Sequence, residues 1–354
     1  MRSLPRSLLP AVLALIAGCG DRAEAPARTA ATEPAGETLY GATGAENLRV
    51  VPLEVEVQGL PAGWNGIRIA AISDFQLGLW EDNGRVAGEA VRRAVSLRPD
   101  LILLLGDYIA RGDQFEVLNR VLAPLRGRPV MAILGDRDQM DEEELQGRPD
   151  STAIRIVQTL KQNGVIVLWN ERGRLVRGGD TAYIAGVEPY LARRPPWRQA
   201  EIFASIPRTG ATPILMSHMP AGALAAPDSS YGLVLSGHTF CGRIEVPGTP
   251  RLSWVNTEVF PAGPIPGTGR LYRVKGNGLF ITCGVGYTFV PVRIGSPPEV
   301  ALVTLRRPVA GEPEQGPDTS SASIDSLIQV YQRRDTTRRA DTTAATSDTT
   351  RGGT

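Results

Sequence analysis

The sequence predicts a layered α/β protein whose sheets are covered on both faces. Three observations predict it. Short runs of consecutive apolar residues recur along the chain, without the polar alternation of a strand that has one face in water. Amphipathic segments of helical period separate the first of these runs. Five of the runs end in an aspartate or a histidine, the edge at which open α/β sheets collect ligand-binding groups.

Taken in order, residues 67–72 form the first apolar strand and 86–97 the first helix. Residues 101–105 form a second strand, followed by a helix over 115–125. Residues 130–134 form a third, followed by a helix over 153–162. Further short apolar runs lie at 165–168, 182–185, 214–216 and 233–235. Between 252 and 305 strand-like runs outnumber helical ones, which assigns the second sheet of the sandwich to the C-terminal third. A hydrophobic share of 42% is sufficient for a sizeable core. Lys+Arg total 38 against 37 Asp+Glu, so no net field favours a nucleic-acid polymer.

The two ends read differently. Arg2 and Arg6 precede a short apolar stretch, and Leu15-Ile16-Ala17-Gly18-Cys19 reads as a lipobox that closes an export signal over 1–18. In that reading Cys19 carries the acyl chains, several of which anchor stably where one alone does not. Residues 19–47 are a flexible tether, 48–308 the folded domain, and 309–354 a Ser/Thr-rich tail too polar to offset its ordering entropy. Within the tail only Ile324, Leu327, Ile328 and Tyr331 have helical spacing. The expected location is extracytoplasmic, lipid-anchored to a cell-envelope membrane through Cys19.

The polar strand ends carry the chemistry. They read Ser73-Asp74-Phe75-Gln76, Gly106-Asp107-Tyr108, Gly135-Asp136-Arg137-Asp138, Ser217-His218-Met219 and Gly237-His238-Thr239-Phe240. One such aspartate alone is an ordinary cap or turn residue. Five at one edge form a set of oxygen and imidazole donors that suits Mn, Fe, Zn or Mg. His218 and His238 are the only histidines in the chain.

This set resembles the metallophosphoesterase (calcineurin-like phosphoesterase) superfamily, whose motifs read D-x-H, G-D, G-N-H-D, a single H, and G-H-T-H. Residues 269–273, 279–286, 291–293 and 297–300 are similar to the end of its bacterial membrane-associated branch. The resemblance implies a four-layer α/β/β/α sandwich, with two mixed sheets flanked by helices. It implies metal-dependent hydrolysis of a phosphomonoester, phosphodiester or pyrophosphate by a metal-bound hydroxide. Carried over residue by residue, Asp107 is the carboxylate that bridges two metals, and Asp74 belongs to the first. His218, His238 and Asp136 belong to the second, Asp136 standing where the family has Asn.

The motifs are degenerate. Gln76 and Phe240 replace the two first-metal histidines, and Arg137 replaces the histidine that assists catalysis. The second site therefore keeps two carboxylates and two imidazoles. The first keeps Asp74, shared Asp107 and the Gln76 amide oxygen, a donor better suited to Mg or Ca than to Zn. One divalent ion (Mn, Mg, Fe or Zn) is expected rather than two. Arg137 can grip phosphate through its fixed charge but cannot act as a general acid. Two functional readings follow. One is a single-ion phosphoesterase with Asp107 and Arg137 as its catalytic residues, acting on a phosphate-bearing small molecule or lipid. The other is an inactive member of the fold that binds a phosphate-bearing ligand or an envelope partner, with Arg137 merely neutralising Asp74 and Asp138. Export implies oxidising surroundings, so Cys241 and Cys283 read as a disulfide beside the site or as two separate buried thiols, with Cys241 as a metal ligand a third reading.

Overall fold

Along β2 (Arg68–Ile72) the side chains alternate between two faces, and Ile69, Ala70, Ala71 and Ile72 are all fully buried. Such a strand needs apolar cover on both sides, and the chain supplies it with a second sheet on one face and helices on the other. The computed structural model describes residues 47–140, 145, 150–206, 211–242, 271–288 and 291–308, within one compact unit, Leu39–Thr354. Cys19, the export signal, nearly all of the tether and the tail lie outside the described residues.

The first sheet has six strands in the order β1 (Arg49–Glu56), β12 (Glu299–Arg306), β2, β3 (Leu101–Leu104), β4 (Val130–Ala132) and β5 (Ile166–Val167). β2 to β5 run parallel, and β12 is antiparallel to β2. The second sheet, also six-stranded, has the order β10 (Leu271–Val274), β11 (Asn277–Ile281), β9 (Leu233–Ser236), β8 (Ala211–Met216), β7 (Asp180–Gly186) and β6 (Glu171–Arg177). Its central strands β7, β8, β9 and β11 are parallel, and an antiparallel hairpin closes each edge.

Three buried clusters define the layers. Ile69, Ala71, Leu101, Leu103 and Met131 of the first sheet pack against Ile184, Ile214, Met216, Leu233 and Phe280 of the second. Ala70, Ile72, Ile102 and Leu104 face the helices α1 (Asp82–Ser96), α2 (Phe115–Leu122) and α3 (Ser151–Gln162). Ala185, Leu215, Val234 and Ile281 face α4 (Pro196–Ser205) and the single turn α5 (Gly222–Ala225). The result is a four-layer α/β/β/α sandwich of two mixed sheets.

The helices follow local rules. α1 buries Val86, Ala87, Ala90, Val91 and Ala94, a single stripe. The α3 N-cap Asp150 accepts from the Thr152 and Ala153 N–H groups. The helix expected over 115–125 stops at Leu122 and tightens into a 3-10 turn over Ala123–Leu125, because Pro124 cannot donate the next helical hydrogen bond. A larger correction concerns the second sheet. Among the described residues the C-terminal third supplies β10 and β11 to it, while β6 to β9 come from the middle of the chain. β12 instead enters the first sheet between β1 and β2, where Val300, Ala301, Val303 and Leu305 are fully buried. Local pattern shows that a strand exists, and the partner it pairs with is decided by which apolar faces remain uncovered.

Leu103 sits in the inter-sheet layer with no exposure. Leu103→Ala is expected to cost about 2–5 kcal/mol in a urea unfolding series. Val176→Ala, on an edge strand with Val176 52% exposed, is expected to stay within about 0.5 kcal/mol.

Candidate metal centre

The carboxyl ends of five parallel strands meet at one rim of the sandwich. Asp74 follows β2, Asp107 follows β3, Asp136 follows β4, His218 follows β8 and His238 follows β9. The loops that present them leave ordinary backbone space. Asp74, Gln76, Asp107, His238, Phe240 and Cys241 all have positive φ, between 49° and 69°. Each such residue stores about 1–3 kcal/mol that the surrounding structure must offset. Gly135 is required by close approach, since a Cβ there would lie 2.1 Å from Asp107 Oδ1.

Asp107, Asp136, His218 and His238 each offer one ligand atom, and these atoms lie within 4.8 Å of one another. His218 Nε2 is 3.3 Å from Asp107 Oδ1 and 3.1 Å from Asp136 Oδ1. His238 Nδ1 is 2.8 Å from Asp136 Oδ1. His218 donates through Nδ1 to the Leu105 carbonyl at 2.7 Å, which fixes its tautomer and leaves the Nε2 lone pair turned inward. That Nε2 and Asp136 Oδ1 are both buried and face each other across the cluster. Inward-facing lone pairs of this kind fit a divalent cation, so the residues present suit one ion of the family's type.

The remaining positions depart from a two-ion arrangement. Gln76 donates through Nε2 to Asp107 Oδ2 at 2.6 Å, because a carboxylate only accepts and so draws the NH2 end of the amide. Its amide oxygen Oε1 and the neighbouring Asp74 Oδ1 are both buried without a hydrogen-bond partner. Asp74 is fully buried outside the four-residue cluster, and its Oδ2 accepts the His238 N–H at 3.1 Å. Phe240 is buried, with the Arg293 guanidinium 5.4 Å from its ring centre.

Asp138 is held by backbone N–H groups of Asp107, Tyr108, Ile109 and Gly135. The Arg137 side chain is half-buried at the rim, with Nε 4.0 Å from Asp107 Oδ2, and its own N–H donates to Asp107 Oδ1 at 2.9 Å. Cys241 and Cys283 are joined by a disulfide, with Cα atoms 4.7 Å apart, so Cys241 is not available as a ligand. Two supporting residues escaped the sequence reading. Asn83 bonds the Gln76 carbonyl and both backbone groups of Tyr287, and the Tyr190 hydroxyl donates to the Asp136 carbonyl. Neither sits in a strand-end motif, and only the fold brings them to the site.

Electrostatics follow from this crowding. Burial opposes the charged ring of His218, yet the Asp107 and Asp136 carboxylates outweigh it and raise its pKa well above the ordinary value. His238 is raised the same way, chiefly by Asp136. Burial opposes ionisation of Asp136, but the two imidazoles prevail and hold it below the usual carboxylate range. Burial and the Asp107 charge raise Asp74 and push Asp138 up to about 8, against the backbone donors on the latter.

Residues 67–242 match the family model of the calcineurin-like phosphoesterases. The chain belongs to the calcineurin-like metallophosphoesterase superfamily. It is 28% identical over 292 residues to a zebrafish (Danio rerio) transmembrane protein with a metallophosphoesterase domain, covering 76% of this chain and 60% of that protein. It is also 28% identical to the uncharacterised metallophosphoesterase YkoQ of Bacillus subtilis, over 69% of this chain and 85% of the relative. The phosphodiesterase YaeI of Escherichia coli is 28% identical over 61% of this chain and 74% of its own length.

A raised histidine pKa has a consequence for metal uptake. The raised pKa values of His218 and His238 favour their protonated rings in the metal-free centre, and a cation must displace those protons. Binding of Mn(II) is therefore expected to release protons, and apparent affinity to rise as pH rises and the two imidazoles lose theirs. Titration calorimetry in buffers of different ionisation enthalpy checks both, and proton uptake on binding would contradict the assignment.

Proposed function

We propose that this protein hydrolyses a phosphoester with one divalent ion held by Asp107, Asp136, His218 and His238, and that Arg137 grips the phosphoryl group. The observation that carries the proposal is the convergence of one ligand atom each from Asp107, Asp136, His218 and His238 within 4.8 Å, two of the four side chains lying deep in the protein. The ion would supply Lewis-acid polarisation of the phosphoryl oxygen and of the attacking water. Leu105 and the backbone around Asp107 hold its ligands in place. The apolar Phe240 ring, which brings no donor atom, speaks for one ion rather than two.

Arg137 stands beside the cluster with its charge close to Asp107. A guanidinium there can form two parallel hydrogen bonds to phosphate oxygens and stabilise the charge that the missing ion would otherwise balance. The phosphodiesterase name of the Escherichia coli relative supports a diester as the first substrate class to test. The lipobox-like run ending at Cys19 supports tethering at the outer side of a membrane, with a lipid-linked phosphate within reach. Radiolabelled palmitate incorporated into the wild type but not into Cys19→Ala would be the expected sign of that anchor, and no label in either would overturn it.

The full chain is expected to hold about one equivalent of divalent ion by elemental analysis and to cleave bis(p-nitrophenyl) phosphate with added Mn(II). His218→Ala should lose both. Arg137→Ala should keep the metal and lose about a hundredfold or more in kcat. Less than about half an equivalent of any divalent ion, with no turnover under added Mn(II) or Mg(II), would overturn the enzyme reading in favour of a binding protein. Gln76→His with Phe240→His should raise the metal content towards two equivalents.

A further inference from the structure

Three of the four residues from His238 to Cys241 are non-glycine residues with left-handed backbone: His238 at φ 69°, Phe240 at 54° and Cys241 at 49°. Such a segment keeps its shape only where its surroundings impose it. Upstream, the Gly237 N–H donates to the His218 carbonyl at 3.0 Å and the His238 N–H to Asp74 Oδ2 at 3.1 Å. Downstream, the Ser296 hydroxyl donates to the Cys241 carbonyl at 2.9 Å, and the disulfide joins Cys241 to Cys283.

Cys283 is a fixed post. It is fully buried, its N–H donates to Glu299 Oε1 at 2.9 Å, and its carbonyl accepts from Arg293 Nη1 at 2.9 Å. The next residue, Gly284, packs so closely on Asp74 that a Cβ there would lie 2.7 Å from the Asp74 Cβ. The S–S bond thus ties the end of the His238 loop to the wall behind Asp74, across a sequence separation of 42.

The two histidine ligands differ in how they are aimed. His218 is fully buried and oriented through its second ring nitrogen by the Leu105 carbonyl. The His238 side chain is 32% exposed, its Nδ1 faces Asp136, and its Nε2 meets no protein partner among the described residues. Its ring is held by Asp136 and by edge-on contact with His218, 5.3 Å between ring centres, and these contacts are reached only if the backbone that carries it keeps its place.

We propose that the Cys241–Cys283 disulfide is a positioning element for His238, and that the affinity of the centre for a divalent ion depends on the oxidation state of this pair. The inference rests on the metal centre proposed above. Reduction by a dithiol breaks the S–S bond and places two electrons and two protons on the cysteine sulfurs, while the dithiol becomes its own disulfide. The freed loop relaxes from its left-handed conformation and His238 swings away from Asp136. Asp107, Asp136 and His218 remain as a three-ligand site that binds more weakly.

Mn(II) titration of the oxidised full chain, Cys241→Ala/Cys283→Ala, His238→Ala and the triple variant tests this. The disulfide-free variant is expected to bind Mn(II) about tenfold or more weakly, the range typical for loss of a group that orients a ligand. The triple variant should bind no more weakly than His238→Ala alone, because the disulfide acts through that histidine. Reducing the wild type with a phosphine and reoxidising it should lose and restore the affinity, which separates the effect from misfolding of a variant. Equal affinity in the oxidised and reduced wild type would overturn the clamp and leave the metal centre standing. A loss in the triple variant that adds in full to that of His238→Ala would also overturn it. Absence of Mn(II) binding in every form would remove the metal centre and the clamp together.

Discussion

The carboxylate of Asp107 is the group around which the site is arranged. It is 2% exposed, and an ionised carboxylate so deep in a protein persists only if its oxygens are satisfied. Oδ1 takes the Arg137 N–H and faces His218, and Oδ2 takes the Gln76 amide. Its own backbone is left-handed and anchored by Asp138. Room for the carboxylate comes from Gly135, where any side chain would overlap it. Much of the irregular backbone at this rim is the geometry needed to seat one buried charge.

That arrangement rests on the core beneath it. β2, β3 and β4 are parallel and in register, so the residues that follow them emerge at one edge. β8 and β9 do the same in the facing sheet. The inter-sheet apolar layer fixes the distance between the two edges, and with it the separation of Asp107 and Asp136 from His218 and His238. The strained loops above can be held because the strands below are fully buried and cannot shift without opening the core.

The chemistry available to the centre follows from how Asp107 is satisfied. A carboxylate shared between two ions gives one oxygen to each. Here one oxygen faces the imidazole cluster and the other is bonded to an amide, with a guanidinium nearby. Arg137 places a permanent positive charge on that second side, its Nε 4.0 Å from Asp107 Oδ2. Phe240 and the disulfide beside it complete a dry, cross-linked wall where a histidine ligand would stand in the family's motif.

The strand-end residues Asp74, Asp107, Asp136, His218 and His238 were legible in the sequence. A buried parallel strand is a continuous apolar run, and the polar residues that follow it are delivered to the site edge whatever its neighbours are. The layered α/β class was legible for the same reason, and so was the shortfall at Gln76 and Phe240, because an amide and a phenyl ring cannot do the work of imidazole. The tertiary structure alone decided the rest. It placed β12 in the first sheet, because pairing depends on which edge is uncovered rather than on the strand's own pattern. It turned the Gln76 amide nitrogen to Asp107, gave Asp138 to the backbone and brought Cys241 to Cys283. Hydrogen-bond direction and side-chain partnership are set by distances across elements far apart in the chain, which no local run of residues encodes.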